Sequence, residues 1–141
     1  MTNKPTEYYN YAIQVEWSDR NRIAIISTEG DMSREAVDLW HQVTLKTLCE
    51  WPKGEQGHLL FNMTGPKQRY TPYGVRSTRQ IYKNVPPDIR GYIAVVMNDT
   101  LLLRMMNVLM QYEVSLIQGR AKQKFFVSYD EAHNWLRSKL D

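Results

Sequence analysis

Cysteine is nearly absent from this chain: Cys49 is the one thiol in 141 residues. A single thiol cannot form an intramolecular disulfide, so the fold has to rest on its own core, and nothing points to an oxidising compartment. Long apolar runs are missing too. No stretch reaches the roughly 18 residues of a membrane span, and the N-terminal "MTNKPTEYYNY" lacks the apolar centre of a signal peptide. The expected address is cytoplasmic. An excess of charge of one sign is also absent, since 18 Lys and Arg stand against 15 Asp and Glu. A formal +3 with both signs interspersed argues against a nucleic-acid protein, which concentrates its cations on one face.

The motifs of common chemistries are missing as well. There is no G-x-x-x-x-G-K-[ST] loop, no G-x-G-x-x-G turn and no G-x-S-x-G elbow. His41, His58 and His133 fall on separate elements with no i, i+4 pair, so no metal or other cofactor is expected. Cys49 closes a predicted helix, whose negative dipole end disfavours a reactive thiolate. An enzyme would need Asp99 or Glu113 gathered with a histidine within hydrogen-bond reach. The expectation is a protein that binds and does not turn over substrate.

What is present reads as one domain, because a chain of about 100–200 residues usually builds a single core. Residues 1–9 are polar and aperiodic and read as a flexible tail, leaving 10–141 as the domain. Tyr11, Ile13, Val15 and Trp17 alternate with Ala12, Gln14 and Glu16, the period of a half-covered strand. "SDRN" turns the chain and "RIAIIS" returns it as an antiparallel partner. Asp31 or Ser33 can cap a first helix, in which Ala36, Val37, Trp40, Val43, Thr44, Thr47 and Leu48 recur at helical spacing.

"GHLLFNMT" predicts a buried strand, and "YTPYGVRSTRQIYKNVPP" predicts a second helix with Thr71 as cap and Pro72 at its first position. "GYIAVVM" reads as another strand, residues 100–118 as a long helix and "KFFVS" as a last strand. Ser128 and Glu131 form a capping box for a terminal helix. The order ββαβαβαβα predicts an α/β domain with a mixed, mostly parallel sheet of about five strands and four helices.

That order, closing on "FFVSYDEAHNWLRSKL", resembles the STAS superfamily and its SpoIIAA-like branch of stand-alone bacterial domains. The likeness is carried by Phe125, Phe126, Asp130, Glu131, Ala132, Trp135 and Leu136, which hold the places of an aromatic last strand and an acidic helix start ending in Trp-Leu. The resemblance implies a non-enzymatic regulatory module. In anti-sigma-factor antagonists of this family a serine in an Asp-Ser-Ser-Gly turn before the second helix is phosphorylated. If Gly74 matches the glycine of that turn, Tyr73 stands at the phosphorylated position and Pro72 replaces the other serine.

Two candidate surfaces follow from the residues. Lys67, Arg69, Arg76, Arg79 and Lys83 form one basic cluster without an acid. Lys67 and Arg69 precede the start of the second helix, and Arg76 lies one turn inside it. With Thr71 and Tyr73 they make an anion- or partner-binding candidate, because a helix N-terminus offers unpaired N–H groups and partial positive charge. A solvated basic helix face gives the same pattern.

In the 100–118 helix, Arg104, Asn107, Gln111, Ser115 and Gln118 form a single polar stripe, and nearly everything else is apolar. Met105, Met106, Leu109 and Met110 supply an adaptable surface, an interface for a homodimer or protein partner. The alternative is a carrier of an apolar, lipid-like ligand beneath that helix.

Overall fold

The computed structural model of the protein describes residues 4–29, 33–65, 72–98, 114–116 and 119–140. It is α/β, as expected. Seven strands, β1 (Glu7–Tyr8), β2 (Ile13–Ser18), β3 (Ile23–Thr28), β4 (Gly57–Met63), β5 (Gly91–Met97), β6 (Val114–Leu116) and β7 (Ala121–Phe126), form one sheet in the order β1-β2-β3-β4-β5-β7-β6. The four central strands β3, β4, β5 and β7 run parallel, and antiparallel partners flank them on both sides. Three helices are described: α1 (Arg34–Cys49), α2 (Pro72–Asn84) and α3 (Tyr129–Ser138).

The helices divide between the two faces of the sheet. Residues alternate across each strand, so Ala24 and Ile26 of β3 join Trp40 and Val43 of α1, Ile81 of α2 and Val85 just after it in one cluster. Ile23 and Ile25 join Ala132 and Leu136 of α3 in the other. Both faces are covered, and β3 is accordingly buried along its whole length.

Local signals account for most of the boundaries. Ser33 caps α1, its Oγ accepting from the Ala36 N–H, and Ser128 caps α3 by accepting from the Glu131 N–H. All seven α1 residues expected on its apolar face are buried. Pro72 opens α2, where its missing N–H costs nothing.

The structure corrects the sequence reading in three places. Glu7–Tyr8, within the expected tail, pairs with β2, placing Glu7 opposite Val15. Tyr11, expected on the β2 face, lies instead with Ala12 in a left-handed turn before that strand. The fold has more strands than five and, among the described residues, three helices rather than four. Most of the predicted 100–118 helix lies outside the described residues, but Val114–Leu116 is strand, with Leu116 opposite Ala121. There the ladder to β7 satisfies the backbone, and tertiary pairing overrides the helical period. No helix among the described residues is long and apolar enough to cross a membrane.

Candidate functional site

In open parallel sheets, ligands gather outside the carboxyl ends of the strands, where crossovers begin. β3 ends at Thr28 and leads to α1, and β4 ends at Met63 and leads to α2, so both helices start on the same edge. The backbones there lie close together. Gly65 approaches Glu29 so tightly that a β-carbon on it would lie 2.8 Å from the Glu29 Cα and 2.9 Å from its carbonyl oxygen. Asn98, following β5, donates from Nδ2 to the Gly65 carbonyl at 2.9 Å. Three consecutive crossovers are thereby tied together at one rim.

Above this rim the first turns of α1 and α2 meet through Tyr73. Its hydroxyl donates to the Asp38 carboxylate, a bond that raises the phenol above its ordinary value, with desolvation and the negative charge of Asp38 adding to the shift. The Arg34 guanidinium lies 4.7 Å from the Tyr73 ring centre and that of Arg76 lies 5.9 Å from it. One turn further, His41 Nδ1 and Ser77 Oγ are 2.8 Å apart and join the same two helices.

Of the residues expected from sequence, Tyr73 and Arg76 are brought together here. Lys67, Arg69 and Thr71 lie outside the described residues, as do Met105, Met106, Leu109 and Met110, and Asp99 and Glu113. Sequence reasoning missed Arg34, Asp38 and His41. The available signal was topological: both crossovers leave parallel neighbours, so the first turns of their helices must lie side by side.

A second polar cluster joins α3 to the β2–β3 turn. Ser18 Oγ donates to Asp19 Oδ2 at 2.9 Å and lies 2.9 Å from His133 Nε2, which is 3.2 Å from the same carboxylate oxygen. Arg137 Nε adds bonds of 3.0 and 3.2 Å to the two Asp19 oxygens. Burial opposes ionisation of Asp19, but the bonds from Ser18 and Arg137 and the charges of Arg137 and His133 outweigh it and hold the carboxyl below its usual value. Burial, followed by the charge of Arg137, pushes the His133 imidazole down.

Ser18 and Asp19 both address the same imidazole nitrogen. A serine–histidine–aspartate relay requires the acid on the opposite nitrogen, so this cluster is a clamp by its geometry. His58, at the start of β4, has Nδ1 3.1 Å from the Gln56 carbonyl and Nε2 3.4 Å from that of Lys139. Among the described residues no group of three or more His, Cys, Asp or Glu could hold a metal ion.

Between α2 and the sheet lies an apolar cavity of about 20 Å³, lined by Thr44, Leu48, Phe61, Ile81, Val85 and Ile93 among others. It is about the size of one water molecule, too small for an organic ligand. Comparison of the sequence with protein-family models and with curated proteins finds no match.

Proposed function

We propose that the chain is a non-enzymatic regulatory or protein-interaction module of the STAS, SpoIIAA-like kind, which recognises an anionic group of a ligand or partner at the carboxyl edge of its sheet. The observation that carries this reading is the pair of guanidinium groups, Arg34 and Arg76, set beside Tyr73 where two helices begin. Helix N-termini favour anions, and guanidinium groups bind phosphate or carboxylate in a planar fork.

The Asp38 carboxylate supports the same reading, because it takes the Tyr73 hydroxyl and thereby fixes the ring beside which the cations lie. Tyr73 then acts as a platform rather than as a phosphate acceptor. Arg76 and Arg79 remain exposed on α2, as a surface for recognition requires.

The test is a titration of the isotopically labelled protein with inorganic phosphate, followed by amide chemical shifts. Saturable shifts at Arg34, Tyr73 and Arg76, abolished in the Arg34→Ala, Arg76→Ala double variant, are expected. A wild-type spectrum unmoved at those three amides sinks the anion-recognition reading.

A further inference from the structure

The opposite edge of the sheet, at the amino ends of the parallel strands, carries a separate feature. A groove of about 800 Å³ is bordered by Lys4, Arg20 and Arg22 on one side and by Glu55 and Gln56 on the other, with Trp51 buried behind it. Small-molecule sites commonly occupy about 300–1,000 Å³. Three cations line this groove against one carboxylate, and all three are exposed.

The loop that presents the arginines is strained and locked. Asp19, Arg20 and Asn21 adopt φ of 52°, 59° and 62°, three successive left-handed residues with no glycine among them. Asp and Asn enter that region more readily than other L-residues, but three such residues in succession, with Arg20 among them, persist only where the surroundings impose that conformation. Here they impose it from three directions. The Asp19 carboxylate is clamped on the α3 side by Ser18, His133 and Arg137. The Arg22 N–H donates to the Ser18 and Asp19 carbonyls at 3.1 and 3.2 Å. The Lys4 N–H donates to Asn21 Oδ1 at 2.9 Å, while the Lys4 ammonium sits 4.1 Å from the centre of the Trp17 ring.

The clamp holds the Asp19 side of the loop against α3, and Arg20 and Arg22 on the other side line the groove. Three cations lining one concavity against a single carboxylate favour an anionic occupant. Two guanidinium groups and an ammonium suit the several oxygens of a phosphorylated group.

We propose that this groove is a binding site for a small molecule carrying a phosphate or pyrophosphate group, with Arg20, Arg22 and Lys4 as its anion contacts and Asp19 as the positioning residue of the loop. The site is independent of the carboxyl edge.

Calorimetric titration with inorganic pyrophosphate, paired with amide shift mapping, tests it. The wild type is expected to bind with shifts at residues 20–22 and 54–58. Arg20→Gly and Arg22→Gln should each weaken binding by roughly tenfold or more, the loss of one charge-assisted hydrogen bond. Glycine at position 20 tolerates the left-handed backbone, so this variant stays folded and its loss of affinity is not unfolding. Arg34→Ala with Arg76→Ala should leave these shifts in place, which separates this site from the other edge. A flat wild-type isotherm, or affinities unchanged in both groove variants, overturns the proposal.

Discussion

His133 Nε2 stands 3.2 Å from Asp19 Oδ2, which ties α3 to the turn between β2 and β3. Arg137 on the same helix reinforces the tie, the charge of Asp130 also acts on the imidazole, and the Tyr129 ring lies 5.7 Å from it. The imidazole is held below its ordinary 6.5, so the folded state resists a proton that the unfolded chain accepts. Its contribution is complete above that value and declines as pH falls through it toward the folded value. Asp19, held below its ordinary 3.8, contributes above that value and loses its contribution as pH falls further. Both groups therefore weaken the fold in acid, in two windows. In urea denaturation between pH 7.5 and 5, His133→Gln should lose less stability than the wild type. Parallel pH profiles would rule out His133 as the origin of the first window.

Gly91 lies opposite Gly57 where β4 and β5 begin, and a β-carbon there would fall 1.8 Å from the Gly57 carbonyl oxygen. Neither backbone can retreat without breaking the ladder. Gly91→Ala should destabilise the fold by more than about 2 kcal/mol, in the range of severe steric substitutions. Thermal unfolding measures this, and a loss below about 0.5 kcal/mol would show that the strands can separate freely at this end.

Thr44 is fully buried in α1 beside the small apolar cavity, and its Oγ1 has no hydrogen-bond partner among the described residues. Replacing an unsatisfied hydroxyl by a methyl group of nearly the same shape removes a desolvation penalty. Thr44→Val is expected to raise stability by about 1 kcal/mol in chemical denaturation. A destabilised variant would mean that the hydroxyl is satisfied in solution.

Tyr11 and Ala12 join β1 to β2 with φ of 61° and 56°. Two-residue turns with both φ positive favour Asn-Gly, and ordinary residues there cost roughly 1 kcal/mol or more each. The double variant Tyr11→Asn, Ala12→Gly should raise the melting temperature and leave both phosphate titrations unaltered. A lower melting temperature would show that the exposed Tyr11 side chain contributes more than the turn costs.

These positions also show what could be read in advance. The seven buried residues of α1, the start of α2 at Pro72, the limits of β5 and the cap at Ser128 were legible because each depends on neighbours within about four residues. Tyr11 misled because its apolar ring fits an alternating pattern, whereas its backbone obeys the turn. Val114–Leu116 misled because helical spacing and strand propensity coexist in short apolar runs, and only the presence of β7 alongside decides between them. In the candidate site, the basic residues of α2 were visible, but Arg34 and Asp38 were not, since 35 residues separate Asp38 from Tyr73.

By itself the sequence determined the class of the fold, most of the faces its elements bury and the caps that start α1 and α3. These follow from short-range sterics and the period of apolar side chains. Tertiary structure alone decided that α1 and α2 begin at one rim, that α3 clamps a strained turn, and that Lys4, Arg20 and Arg22 share a groove with Glu55. Such neighbours depend on strand order and crossover direction, and no local pattern encodes them, because the free energy that selects them comes from pairing distant backbone and burying distant apolar surface.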